Sequence, residues 1–383
     1  MNNEELIARI NSLSVTGSDG SDLSNQRALA MDHYLARPYG DELDGRSQVV
    51  SRDLMEVVDW ALPELMNVFL ASGNVVDFVP MNDEDVEAAE QESDYVNHVL
   101  IQENNCWLVF HDWFFDALVL KNGYVKTFWE EEETFEVQKL EGLTEEELTL
   151  VMENKMVEVS RQAEYIIDDI TVFDVEIRIK TKRGKVTIEC CPPEEIRVSR
   201  NARGDINSAD YVEHITHKPR TDLVAMGMDR DFVDNLAASA ADDGIESISR
   251  DTTADDRQIY DAIDQSMELV EYRECYVRVD FDDDGEAELR RVIIVGNKIP
   301  DGDEWNEEVD HIPFSSITPK RMPHRHIGES MDDEISDIQE IKTVLQRQFL
   351  DNLYGLVNQE WLVNERVNLD DFLVTRPLGV KRV

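Results

Sequence analysis

The residues best suited to chemistry lie in VDFDDDGEAELRR, residues 279–291. Asp280, Asp282, Asp284 and Gly285 take places one, three, five and six of a D-x-D-x-D-G calcium loop. Such a loop sets oxygen ligands at alternate positions and turns sharply at its glycine. Glu288 takes the ninth place, but the twelfth, which should be a bidentate glutamate, is Arg291. Strand-like sequence flanks the loop where a calcium hand has helices. Two readings stay open. Asp280, Asp282, Asp284 and Glu288 hold a weak structural calcium, or the segment is a hairpin turned at Asp284-Gly285, where Asp and Gly tolerate positive φ. Neither places a reaction there, and no other cofactor is expected.

Other chemistry-bearing residues carry less. His311, His324 and His326 lie beside Lys320, Arg321 and Arg325. A metal site would need carboxylates or cysteines at ligand spacing, so the group reads as a solvated basic patch. His111-Asp112 sits in an aromatic helical run and reads as a hydrogen-bonded core histidine. The four cysteines show no C-x-x-C spacing and fit reduced thiols. There is no G-x-x-x-x-G-K-[ST], no H-E-x-x-H, no G-x-S-x-G and no dinucleotide fingerprint. With 83 acidic residues, pairs of carboxylates arise by chance, so an enzyme is not expected. A calcium-dependent acidic binding module is the alternative from the loop, and a carboxylate-metal nuclease is a third reading.

Charge bounds the partners. The formal charge is −46, from 83 acidic and 37 basic residues. Such a chain repels its own copies and bulk DNA. Gripping a duplex by phosphate neutralisation is disfavoured, because that affinity comes from many Lys and Arg contacts. Residues 178–220 are the exception, with a local charge of +4. The N-terminal residues are acidic and lack the apolar core of a signal peptide. The most apolar stretch, residues 60–79, is broken by Pro63, Glu64, Asn67, Gly73, Asn74 and Asp77, so no membrane span is expected.

The elements that must position these residues are both helical and extended, an α+β chain. Ile7, Ile10 and Leu13 recur at helical spacing, and residues 14–25 read as a flexible turn. Helices are predicted over 26–36, 52–71 (kinked or restarted at Pro63), 82–104 and 107–120, with Gly123 as a stop. Thr144 and Glu147 form a capping box for a further helix. Residues 172–180 and 185–190 alternate around Lys182-Arg183-Gly184 and read as a hairpin, followed by short strands near 192–199 and 210–215. Two short helices follow, over 221–227 and 229–236. Residues 237–264 read as an acidic linker, and 272–280 with 287–295 as the hairpin bearing the acidic loop. The last strong helix, over 331–354, is capped by Ser330 and would run on the order of 36 Å. Met331, Ile335, Ile338, Ile341, Leu345, Phe349 and Leu353 draw an apolar stripe along it, with Asp333, Ser336, Glu340, Thr343, Arg347 and Asp351 opposite. Glu334 and Lys342 intrude on the apolar side, which suggests pairing across a helix–helix contact.

Three stretches, taken in order, resemble a known family. They are YGDELDGRSQVVSRDL with VDWALPELMNVF (39–54 and 58–69), KPRTDLVAMG (218–227), and MPHRHIGESM running into IQEIKTVLQRQFLDNLY (322–331 and 338–354). In kind, order and spacing they resemble the portal proteins of tailed bacteriophages, of the short-tailed type, over most of residues 27–383.

The resemblance implies a structural protein of the virion: a ring, usually of twelve subunits, at one capsid vertex, assembled in the host cytoplasm. Double-stranded DNA passes through its channel without sequence readout. The implied partners are the terminase packaging motor, tail adaptor proteins, the scaffold and the major capsid protein, with no membrane. The implied fold has a helical/β wing (1–215), a stem start and acidic linker (216–267), a small β-containing clip (268–327), and a stem helix (328–356). The start of a wing or crown segment follows (357–383). Asp333, Ser336, Glu340, Thr343, Arg347 and Asp351 would face the channel, and Glu334 and Lys342 the neighbouring subunit. Family members usually continue into a crown, so the chain is expected to be cut short before that region.

Overall fold

The computed structural model describes residues 2–17, 20–82, 85–143, 149, 157–167, 170–238, 245–250 and 264–357. Its class is α+β, as expected. Apolar residues at helical spacing build one layer from α2 (Gly20–Tyr34), α3 (Asp53–Leu70) and α5 (Cys106–Leu120), crossed by the long α9 (Met331–Val357). Its core holds Met31, Leu54, Val58, Leu62, Phe114 and Leu118. Pro63 lies within α3 without ending it. The helix expected over 82–104 is α4 (Val86–His98) followed by a π-helical turn, Val99–Glu103.

Two wholly antiparallel sheets follow from the alternating segments. The first runs β2–β3–β1–β9, from β1 (Gly123–Leu143), β2 (Val157–Ile167), β3 (Ile170–Cys191) and β9 (Phe314–Ile317). The second runs β4–β5–β6–β7–β8, from β4 (Ile196–Val198), β5 (Tyr211–Pro219), β6 (Leu269–Val279), β7 (Glu288–Val295) and β8 (Asn306–Glu308). Both faces of β6 and β7 are covered. Leu6 and Ile10 of α1 (Asn3–Gly17) pack on Cys275, Val277, Val292 and Ile294. On the other face α6 (Arg220–Ala225) and α7 (Arg230–Asp234) bring Leu223 and Val233 against Val270, Tyr272, Ile293 and Val295. A strand buried on both faces reads as a continuous apolar run, as in VIIV of β7.

The structure departs from the sequence reading at several points. Residues 14–17 and 20–25 are helical, not a turn. Lys182-Arg183-Gly184 lies inside the single strand β3, paired in register with β1, so no hairpin turns there. The glycine instead leaves room for Trp129, whose ring atom would lie 2.0 Å from an added Cβ. The boundary drawn at 215/216 cuts β5, which pairs along its length with β6, and α1 packs on β6 and β7. The expected wing and clip segments therefore share one sheet. Residues 220–234, expected as the start of the stem, cover that sheet. Part of the expected acidic linker is α8 (Ile245–Arg250), whose Glu246 and Ser249 are buried. The helix expected after Leu143, the rest of the linker, and the strand-like 360–367 within the expected crown segment lie outside the described residues.

Gly123 shows how α5 meets β1. The positive φ at this junction belongs to Lys121 (+76°), so the glycine is not needed for helix termination. An added Cβ at Gly123 would lie 2.3 Å from the Trp113 carbonyl oxygen, a backbone atom that cannot rotate away. Gly123→Ala should lower the unfolding free energy by ~1–3 kcal/mol, the cost of overpacking a tight site, measured by urea titration.

Candidate functional site

α9 is the element to which most of the candidate residues belong. Ser330 and Asp333 start it with a reciprocal cap. The Ser330 N–H donates to Asp333 Oδ2 at 2.8 Å, and the Asp333 N–H donates to Ser330 Oγ at 3.4 Å. Asp332, Asp333 and Glu334 fill its first turn, where carboxylates are favoured by the helix dipole.

The face that docks on the rest of the chain is the polar one. The Ser51 N–H donates to Thr343 Oγ1 at 3.0 Å, and the Leu54 N–H to Gln339 Oε1 at 2.9 Å. Gln339 Nε2 returns a bond to the His33 carbonyl at 3.0 Å. Gln339 and Thr343 are wholly buried. Farther along, the Ser47 N–H donates to Asp351 at 2.7 Å, and Arg347 donates to Asp41 (2.8 Å) and to the Val49 carbonyl (2.9 Å). Lys121 pairs with Asp333 at 2.7 Å, and Lys342 pairs with Asp53.

The apolar stripe looks outward. Ile338 is 60% exposed, Ile341 63%, Leu345 60% and Phe349 64%. At 3.6 residues per turn these positions lie across the helix from Gln339 and Thr343. Asp337 and Glu340 are exposed along one flank.

The residues assigned from sequence fall out as follows. Thr343 is buried and cannot line a channel. Asp333, Arg347 and Asp351 are engaged within the chain, Ser336 is half-buried, and Glu340 is exposed. Glu334 and Lys342, expected to pair between subunits, meet Lys320 (2.6 Å) and Asp53 of their own chain. Sequence reasoning missed Gln339 and His33. The signal was a second, polar repeat (Asp332, Gln339, Thr343) at the same helical spacing as the apolar one.

The acidic loop is a tight turn. Asp280, Asp282 and Asp284 bring one oxygen each within 4.8 Å of one another. Their carboxylates already accept backbone N–H groups of Asp284, Gly285 and Glu286. Asp283 (φ +65°) and Gly285 (φ +93°) supply the left-handed turn. Glu288 lies outside that cluster and pairs with Arg290 at 3.1 Å. Of the four proposed calcium ligands, the loop thus brings three together, and they are largely exposed. His111 pairs with Asp112 at 2.9 Å but is part-exposed, so it is no core histidine.

Buried charge lies deeper. Arg250 of α8 bridges Asp116 (3.0 Å) and Glu194 (2.8 Å). Burial pushes the Asp116 carboxyl up to about 6 against the pull of Arg250. Burial also works against charge on Glu274, yet Lys126 and Arg291 hold it down to about 2. These groups form cross-links between elements and present no nucleophile beside a base.

A model of the family described as Phage SU10 portal protein matches residues 9–383. The chain belongs to this phage portal family. Among curated proteins none matches the chain. Among the described residues of the portal chain, no helix is long and apolar enough to cross a membrane.

Two outcomes test the docking of α9 in this portal chain. Gln339→Leu leaves the Leu54 N–H without a partner and leaves the His33 carbonyl only its bond from the Ala36 N–H, and should cost on the order of 1–3 kcal/mol of unfolding free energy. Glu340→Ala, on the exposed flank, should stay within about 0.5 kcal/mol of wild type in the same denaturant series. The second outcome concerns pH. Burial opposes protonation of His33, but the hydrogen bond and charge of Asp332 outweigh it, so the imidazole titrates above its usual 6.5. A raised folded value gives stability that is complete below 6.5 and lost as pH climbs through it. His326, lowered to about 4 by burial and then by the charge of Arg27, acts only below 6.5. Stability should decline as pH rises above 6.5, and His33→Gln should remove that decline in pH-resolved melting.

Proposed function

We propose that the chain is a subunit of the portal ring through which double-stranded DNA is packaged and ejected, and that α9 is its stem helix. One observation carries this reading. The most apolar face of a 27-residue helix is turned away from its own chain while the polar face is consumed in buried hydrogen bonds. A stripe of four large side chains, each about three-fifths exposed, is a surface to be covered. In a portal family the cover is the next subunit. A single heterologous contact, repeated, closes a ring when its rotation allows.

The channel face follows from the same helix. With Gln339 and Thr343 turned inward and Ile341 and Leu345 against a neighbour, the exposed flank bearing Asp337 and Glu340 is left to meet the duplex. Like-charged walls repel phosphate, so the duplex is centred and slides without sticky contacts. The reading calls for no catalysis and places the ring at the capsid's portal vertex. Twelve subunits, a packaging motor at one mouth, tail adaptors, scaffold and major capsid protein are the partners it entails.

Ile341→Glu combined with Leu345→Glu tests it. Wild type should appear as hollow rings in negative-stain micrographs and as a multiple of the chain mass in native mass spectrometry. The double variant should be a monomer with its denaturation midpoint little changed, because both sites are solvent-exposed in the single chain. Rings that persist in the variant, or a wild type that never forms them, would overturn the proposal.

A further inference from the structure

Two apolar surfaces stand at opposite ends of the helical layer. At one end, Leu54 of the first turn of α3 bonds to Gln339 of α9, and Lys121, just past the end of α5, pairs with Asp333 of α9. At the other, Phe69 near the end of α3 packs on Phe110 and Phe114 in the first half of α5. The two helices therefore run antiparallel. The first N–H groups of a helix point out along its axis, beyond its N-terminus. Because Gln339 accepts one of them, α9 lies across that end of α3, and its apolar stripe faces away from the layer.

The far end carries a lobe. α3 spans 18 residues, about 27 Å. From its C-terminus the chain runs through residues 71–81 into α4, and returns by the π-helical turn Val99–Glu103 to the start of α5. Residues 75–81 are tied to α4 from behind. Buried Asn97 accepts the N–H groups of Val75 (2.7 Å) and Val76 (3.1 Å) and donates to the Val76 carbonyl (2.7 Å). Ser93 Oγ accepts the Phe78 N–H at 2.9 Å, and Asp85 the Met81 N–H at 3.3 Å. Pro80 fixes one more backbone angle. Against this pinned backbone, Val79 is 83% and Met81 89% exposed, with Phe78 and Val86 of α4 exposed as well. Val86 lies on the α4 face that bears Ala89, Ser93 and Asn97, so the four side chains form one patch. A patch whose backbone is already ordered loses little freedom on binding.

We infer that the apolar lobe around Phe78, Val79 and Met81 of one copy covers the α9 stripe of the next copy in the ring. The inference rests on the ring reading and names the face that meets α9. A head-to-tail contact needs two unlike surfaces on each copy, turned away from each other. In a ring of about twelve they stand roughly 150° apart, which opposite ends of one helical layer suit. Each surface offers four large apolar side chains, so one contact repeated around the ring covers both. Residues 75–98 hold eight acidic residues and no Lys or Arg. The lobe therefore suits neither a duplex nor an anionic membrane. Asp337 and Glu340 flank the stripe as well, so the contact is driven by apolar burial and not by ion pairs.

Substitution and cross-linking in the full chain test this. Val79→Ser with Met81→Ser should weaken assembly roughly tenfold or more in analytical ultracentrifugation. The denaturation midpoint should hold, because both sites are exposed. Cysteine pairs then locate the contact, with Val79→Cys or Met81→Cys combined with Ile341→Cys or Leu345→Cys. Under mild oxidation at least one pair should give a ladder of covalent oligomers on non-reducing gels. The matching single variants, mixed in equal amounts, should stop at covalent dimers, since each chain then holds one of the two thiols. Each single variant alone should give none. Cross-linking of Ile341→Cys or Leu345→Cys with itself would show stripe against stripe and overturn the inference. So would the absence of a ladder from every pair. Serine-variant rings of wild-type strength would hand the lobe to a partner other than this chain, and would also overturn it. All three results leave the ring reading standing. If wild type never assembles, both readings fall together.

Discussion

The N-terminus of α3 is the constraint on which the arrangement turns. A helix begins with four backbone N–H groups that no turn of its own can satisfy. Here Arg52, the capping residue, makes no side-chain bond to them. The cap comes from 285 residues away, where Gln339 accepts the Leu54 N–H, and Thr343 takes the Ser51 N–H just ahead of it. Leaving such donors buried without partners costs more than a surface contact can return. The polar side of α9 is thereby committed to the α2–α3 junction. Everything else about that helix follows, including the outward turn of its apolar side.

Cations are the second scarce resource of a chain with 37 basic and 83 acidic residues. Several are spent as internal rivets. Arg220 reaches the carbonyls of Val233 and Leu236 together with Glu268, and so fastens α6 and α7 to the sheet they cover. Arg27 reaches the carbonyls of Leu120 and Pro193 and joins α2 to the end of the β1–β3 pair where β1 begins and β3 stops. Arg273 meets the wholly buried Glu213, which also accepts from Ser14 of α1 at 2.7 Å. Guanidinium suits such places because its fixed fork of donors serves several carbonyls and carboxylates at once.

Much of the chain was legible in local pattern. The β6–β7 hairpin, the helices around Val58 and Phe114, and the cap at Ser330 each rest on a short-range rule that the fold obeys. The portal resemblance was carried by stretches such as residues 218–227 and 322–331, and the family match covers them. What escaped was non-local. Nothing near Gly184 in sequence announces that Trp129 would lie over it, so a turn seemed the better use of a glycine after Lys-Arg. Ser14 and Glu246 sit in stretches rich in small polar residues, where helix signals are weak. Their places are fixed by Glu213 and Arg27, which lie about 200 residues away. The boundary at 215/216 failed for the same reason, since strand pairing across 50 residues leaves no mark in composition.

On α9 the periodicity of the sequence reading holds, and the side that packs on the chain is the polar one. Amphipathic reasoning assumes that the apolar face points into the chain that carries it. That fails for α9, whose polar side meets buried backbone donors of its own chain. Its polar residues are Gln, Thr and Asp at helical spacing, side chains short enough to reach a neighbouring backbone and rich in acceptors. A face of Lys and Glu would be content in water; a face of Gln339 and Thr343 finds its best partners in backbone N–H groups held without water. The two stripes are therefore ranked by what each can find at home. The polar stripe meets donors that exist only within its own chain. Apolar contact is unspecific and can be supplied by any matching surface. In the proposed ring, the specific contact is thus kept inside the chain and the general one is left for the neighbouring copy.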